Sequence, residues 1–243
     1  MVTSANLKFQ TYLLCYGDYS ELHFNIINDI LHHVPIDLQG YVSVWCNSVP
    51  QETLTKLQMT PFQVYSYRGN LPKYKAMRRM FQDGITQPWV LWLDDDMRLQ
   101  DGWYNYVNKL IDGPDTVYAG NYRVSNDLKD RENFVKHSSW YKNVPWKLYR
   151  DKPAFEYASG CYWFLRADVL KAIDWPDVRL SHCGGDSLLG EAVRQQGYSL
   201  TNTNSYTVLP LKAERRGISE HCAGTHLYKP CGVDFDASLL AVL

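Results

Sequence analysis

Residues 88–97 read PWVLWLDDDM: five apolar residues, Trp89 to Leu93, run straight into three acids, Asp94, Asp95 and Asp96. A short apolar run bounded by turn signals is the pattern of a strand buried on both faces. Three carboxylates at the end of such a strand repel one another and lose hydration. They are tolerable only where a cation or dense hydrogen bonding compensates. Carboxylate oxygens are the ligands hard divalent ions prefer. The stretch therefore reads as a metal site at the carboxyl end of a central strand, where open α/β sheets bind ligands. A helix N-terminus, where Asp caps and meets the positive dipole end, would account for one or two of these acids.

The flanking sequence alternates strand and helix. Thr11–Tyr16 is apolar and β-prone, and Gly17-Asp18 turns it. Leu22–Val34 carries Leu22, Phe24, Ile26, Ile27, Ile30 and Leu31 at helical spacing, with Ser20 placed to cap it and Glu21 in its first turn. Tyr41–Cys46 and Phe62–Tyr67 read as strands. Gln51–Leu57 and Pro72–Phe81 read as helices, the latter with Lys73, Lys75, Arg78 and Arg79 on a basic face. After the acidic strand come a helix over Gly102–Ile111 and a strand over Thr116–Ala119. This rhythm predicts parallel pairing with helices on both faces. In the second half, Ala158–Leu165 reads as one strand and Asp168–Ile173 as a short helix. Gly184–Gly197 is a glycine turn leading into an amphipathic helix.

Composition excludes several classes. The net charge of -1 provides no global basic field for nucleic acid or membrane. No apolar run approaches the roughly 18 residues of a membrane span, and the N-terminus lacks the pattern of a signal peptide. Cys15, Cys46, Cys161, Cys183, Cys222 and Cys231 are scattered without a C-x-x-C, as expected of reduced thiols in a cytoplasmic protein. His182-Cys183, His221-Cys222, His226 and Cys231 crowd one region, but their spacing matches no zinc-finger pattern. Aromatic residues make up 14%, material for sugar or base stacking as well as for a core.

Three pieces in order resemble the GT-A glycosyltransferases, especially the family 2 type. They are the opening strand ending in Tyr16-Gly17-Asp18, the Asp-x-Asp of Asp94-Asp95-Asp96 followed by Leu99-Gln100-Asp101-Gly102-Trp103, and the acid in Gly184-Gly185-Asp186-Ser187-Leu188. With Ala158-Ser159-Gly160-Cys161 they span about residues 10–200. Many relatives have Glu-Asp where this chain has Gly185-Asp186. The resemblance implies an α/β, Rossmann-like GT-A fold, a mixed, mainly parallel central sheet flanked by helices on both faces. One domain over 1–243 is expected, with a nucleotide-sugar-binding half over about 8–120 and an acceptor-binding and catalytic half over about 121–243.

The resemblance also implies roles. A nucleoside-diphosphate sugar, a UDP-sugar first, would lie across the carboxyl ends of the first strands. Tyr16, Asp18 and Asn47 would meet base and ribose, although Asp and Asn are common turn residues in any case. Lys73, Arg78 and Arg79 would face the diphosphate, or else form a solvated helix face. Asp94, with Asp95, would contact the donor, and Asp96 a Mn²⁺ or Mg²⁺ ion, with His226 or else His221 as a further ligand. Asp186 would be the general base of an inverting displacement, or a helix cap. Arg215 and Arg216 would close over the diphosphate, since Arg binds phosphate with a rigid fork of donors.

Between Lys136 and Lys152 five basic residues interleave with aromatics against the single acid Asp151. Trp140, Tyr141 and Trp146, with Gly185, are the expected acceptor contacts, unless the tryptophans simply pack on the sheet. A glycan hydroxyl leads as acceptor. A hydroxylated base of modified, phage-type DNA is the second reading, since aromatics and cations together also suit a nucleic acid. A sugar-nucleotide nucleotidyltransferase fits the layout, but residues 16–20 lack the glycine-rich basic loop that class needs. A non-catalytic carbohydrate-binding protein that kept the fold is the remaining alternative.

Overall fold

The computed structural model describes residues 9–67, 69, 71–82, 84–115, 117–120, 122–125, 155–158, 162–176, 185–203 and 208–210. Its centre is a seven-stranded, mostly parallel sheet. The strands of the first half are β1 (Phe9–Tyr16), β2 (Val42–Asn47), β3 (Gln63–Ser66), β4 (Trp89–Asp94), β5 (Met97–Leu99) and β6 (Val117–Ala119). Those of the second half are β7 (Tyr122–Ser125), β8 (Phe155–Ala158), β9 (Tyr162–Arg166), β10 (Leu200–Asn202) and β11 (Val208–Pro210). The helices are α1 (Ser20–His33), α2 (Gln51–Gln58), α3 (Lys73–Gln82), α4 (Trp103–Leu110), α5 (Ala167–Ala172) and α6 (Gly185–Gln195). The sheet order is β10-β6-β9-β4-β1-β2-β3. Only β9 runs against its neighbours β4 and β6.

The continuous apolar run of β4 follows from its position. Val90 and Trp92 enter the cluster under α3, α5 and α6, while Leu91 and Leu93 enter the cluster under α1, α2 and α4. Period-two alternation thus supplies two cores from one strand. β1 does the same, with Tyr12 and Leu14 on one side and Leu13 and Cys15 on the other.

Two expectations are corrected. Ser20 is the first residue of α1; Tyr19 holds the cap position and makes no side-chain cap bond. The stretch expected as one strand over Ala158–Leu165 is two. β8 pairs with β7, whereas β9 joins the central sheet. Gly160 lies between them, and glycine weakens a strand interior. The pairing of β5 with β11 was not anticipated, because three-residue strands carry too little pattern to detect.

β5 is fastened to α1 by Asp29. Its carboxylate accepts from Arg98 Nε at 2.7 Å, Arg98 Nη2 at 2.9 Å and the Leu99 backbone N–H at 2.8 Å. Asp29→Ala would leave the Leu99 N–H buried and unpaired. The expected loss is about 2 kcal/mol, since the half-exposed Arg98 contributes less than a buried partner would. A lowered urea midpoint would register it, and an unchanged midpoint would refute the fastening role.

Candidate active site

The carboxyl ends of β1, β2 and β4 lie at one edge of the sheet, with Tyr16 opposite Asn47 and Leu14 opposite Asp94. From β1 the chain builds β2 and β3 on one side, then crosses to form β4 on the other. Such a switch point leaves a crevice between the diverging connections. Gly17 turns the chain there with φ +66, and its N–H donates to Asn47 O at 3.0 Å. A side chain at that φ would be strained, and an added Cβ would sit 3.3 Å from the Tyr19 ring.

The structure sorts the three acids to different partners. Asp94 accepts from Lys73 Nζ, at 3.0 Å to Oδ1 and 3.1 Å to Oδ2, and from Trp92 Nε1 at 3.0 Å. Asp95 is buried, and its Oδ2 accepts the Tyr16 N–H at 2.9 Å while lying 2.9 Å from His23 Nε2. Asp96 is half-buried in the turn between β4 and β5. The mutual repulsion of three adjacent carboxylates is thus relieved largely by protein groups.

Across from β4, the first turn of α6 presents Asp186. The Tyr74 hydroxyl donates to Asp186 Oδ1 at 3.4 Å. Burial works against the Lys73 ammonium, but the charges of Asp94, Tyr74 and Asp186 and the Asp94 hydrogen bond override it and hold its pKa well above the usual lysine value. Lys73 and Tyr74, at the start of α3, therefore join the acid at the tip of β4 to the acid at the head of α6. Asp186 is the second residue of α6, within its first turn.

Among the other expected donor contacts, the side chains of Asn47 and Arg78 are engaged by protein groups. Asn47 is fully buried and clamps the backbone of Leu71, donating from Nδ2 to its O at 2.7 Å and accepting its N–H at 2.9 Å. Arg78 reaches the far end of α5, donating to Pro176 O at 2.6 Å and pairing with Asp174 at 3.0 Å. Asp95 faces inward. Arg79 is exposed, with its guanidinium 6.0 Å from the Tyr67 ring centre. Asp18 is exposed and Tyr16 half-buried beside Gly17. Gly185 opens α6. Trp140, Tyr141, Trp146, Arg215, Arg216, His221 and His226 lie outside the described residues.

Sequence reading missed Trp92, Tyr74 and His23. His23 carried a usable signal: it shares a stripe with Ile26, Ile27 and Ile30 at positions i, i+3, i+4 and i+7, so a polar group was bound to enter the core. A cavity of about 720 Å³ lies at the amino end of β4, lined by Trp89 and the Arg166–Asp168 pair, away from this cluster.

Cys46 sits behind the acidic turn. Burial, with Asp95's charge adding, pushes its thiol up to about 12. The unfolded thiol ionises near 9.0, so above that pH the unfolded chain releases a proton that the native chain keeps. Stability should fall as pH rises from 9 towards 12, by about 1–2 kcal/mol from this group at pH 10. Cys46→Ala should flatten that part of the pH profile of the denaturation midpoint. An equally steep profile in the variant would refute the assignment.

A divalent ion fits the donor set. Half-buried Asp96 offers hard oxygen donors, and Mg²⁺-type sites commonly need only one or two carboxylates beside substrate phosphates.

No family model and no curated protein matches the chain. Solved structures do. GalNAc-T7 with UDP, GalNAc and Mn²⁺ superposes with a TM-score of 0.60 at 11% identity, covering 83% of this chain and 43% of that one. The mannosyltransferase PcManGT of Pyrobaculum calidifontis, in complex with GDP-Man and Mn²⁺, gives 0.58 at 12% identity, covering 86% and 58%. S. aureus TarS residues 1–349 with UDP-GlcNAc gives 0.54 at 13% identity, covering 82% and 57%. The fold is that of the GT-A glycosyltransferases. The chain spans about half the length of these structures.

Proposed function

We propose that this chain is a metal-dependent, inverting glycosyltransferase that moves a sugar from a nucleoside-diphosphate sugar to an acceptor hydroxyl. One observation carries the reading: Lys73 and Tyr74 bring Asp94 and Asp186, 92 positions apart in sequence, into one cluster at the carboxyl edge of the sheet. Three similar structures hold nucleotides or nucleotide sugars, and two of them also Mn²⁺, which supports the donor class.

Asp186 accepts the acceptor's proton as its oxygen attacks the anomeric carbon, and the nucleoside diphosphate departs on the opposite face. Asp94 meets the donor ribose, and Asp96 holds Mn²⁺ or Mg²⁺. The ion, when bound, offsets charge building on the departing diphosphate. A UDP-sugar is the leading donor. Lys73 holds Asp94 and stands where the donor's charged portion arrives. Lys73→Met should therefore weaken UDP binding about 10- to 100-fold, the worth of a charge-assisted hydrogen bond. Titration calorimetry would show this, and unchanged affinity would remove Lys73 from the donor site.

The resemblance alone assigns the remaining roles: Arg215, Arg216 and His226 close over the diphosphate and complete the metal site, and Trp140, Tyr141 and Trp146 bind the acceptor, a glycan first and a hydroxylated base of DNA second. Among the described residues, β8 lies along α6, the helix of Asp186. The buried thiols Cys15 and Cys46 suit a cytoplasmic setting. Among the described residues no helix is long and apolar enough to cross a membrane.

The test is to incubate the protein with a panel of UDP-, GDP-, CMP- and dTDP-sugars and Mn²⁺, and to measure release of free nucleotide. One donor should be turned over, with loss of activity in EDTA. Silence across the panel, with and without simple sugar acceptors, would favour the non-catalytic carbohydrate-binding alternative.

A further inference from the structure

We propose that His23 is a positioning residue for the donor–metal site, holding the acidic turn through the buried carboxylate of Asp95. This rests on the function proposed above. Asp95 is 2% exposed and His23 0%. His23 Nε2 lies 2.9 Å from Asp95 Oδ2 as a close polar contact outside hydrogen-bond geometry, and the same oxygen accepts the Tyr16 N–H at 2.9 Å. The ligand atoms of Cys15, His23 and Asp95 all lie within 4.8 Å of one another. One carboxylate oxygen therefore gathers the end of β1, the first turns of α1 and the turn after β4.

The sorting follows strand periodicity. Trp92 and Asp94 share the α3 side of β4, where the Trp92 indole donates to Asp94. Asp95 falls to the α1 side with Leu93 and Cys15. A carboxylate buried on that side needs a compensating group within reach. His23 brings its Nε2 within 2.9 Å of that carboxylate from a helix that leaves the loop over Gly17, Asp18 and Tyr19, and α1 in turn is fastened to β5 by Asp29. The acidic turn is gripped on both flanks, so the directions of Asp94 and Asp96 depend on a residue that touches neither donor nor metal.

The experiment measures Mn²⁺ binding in the presence of UDP, from the electron paramagnetic resonance signal of free Mn²⁺. His23→Leu should weaken Mn²⁺ binding by tenfold or more. His23→Gln, whose amide nitrogen can take the place of Nε2, should recover most of the loss at a thermal midpoint equal to that of the unaltered protein. Asp95→Asn covers the case in which His23→Leu does not fold. It should weaken Mn²⁺ binding similarly, and adding His23→Gln to it should cost nothing further. Mn²⁺ affinity unchanged in folded His23→Leu or in Asp95→Asn would overturn the proposal. Stoichiometric zinc in the purified protein, lost on His23→Leu, would overturn it as well, making the trio a metal site. Failure of the unaltered protein to bind Mn²⁺ with UDP would instead count against the proposed function.

Discussion

Asp186→Asn is expected to lower kcat by about 10²–10⁴-fold while leaving donor affinity within about twofold, because positioned proton transfer contributes that much and acts only on the chemical step. The substitution isolates one property. Asparagine keeps the Oδ1 acceptor for the Tyr74 hydroxyl, so the head of α6 stays in place. It cannot take a proton from an attacking hydroxyl. Stability should change little: Asp186 sits within the first turn of α6, where an acid's interaction with the helix dipole amounts to about 0.3–1 kcal/mol. Nucleotide release in saturating donor and acceptor measures the loss. Retention of full turnover would assign the proton to another group and reduce Asp186 to a helix-end residue.

The second large effect concerns the metal. Asp96→Ala should abolish Mn²⁺-dependent stabilisation by UDP and lower turnover on the order of 10³-fold, the equivalent of several kcal/mol of lost charge stabilisation. The fold should survive. Asp96 occupies a half-exposed turn, whereas the buried ties of the region run through Asp95 and Asp29. Asp95→Asn should differ in kind, altering the turn from within rather than removing a ligand. Thermal denaturation with UDP, with Mn²⁺ and with both separates the two outcomes, since a ligand at a hundred times its dissociation constant adds about 2.7 kcal/mol to the native state. A variant that still gains stability from Mn²⁺ and UDP together would move the ion away from Asp96.

Much of this was legible in the sequence because it rests on strong periodic signals. The run 89–93 fills two cores at once, and its uniform apolarity betrayed the central strand. The stripe of Leu22, Ile26, Ile27 and Ile30 located α1. Asp94 and Asp186 stood out as carboxylates at a strand end and a helix start, and Lys73 and Tyr74 bring them into one cluster. What escaped the sequence was direction. Asp95 looked equivalent to its neighbours, yet strand alternation sends it inward to His23. Asn47 and Arg78 stood at plausible positions, but the Leu71 backbone and the Asp174–Pro176 turn claim their side chains. These partners are 24 and 96 or more positions away, and no local pattern announces them. β5 and β11 were invisible for the opposite reason: each is three residues long and is fixed only by pairing with the other.

Calorimetric titration of UDP into the protein, in Mn²⁺ and again in EDTA, decides whether Asp96 holds a metal ion that donor binding needs. Saturable binding is expected in Mn²⁺, lost in EDTA and in Asp96→Ala, and weakened but persistent in Lys73→Met. UDP binding that is indifferent to the metal and to Asp96, or no binding under any condition, would contradict that role.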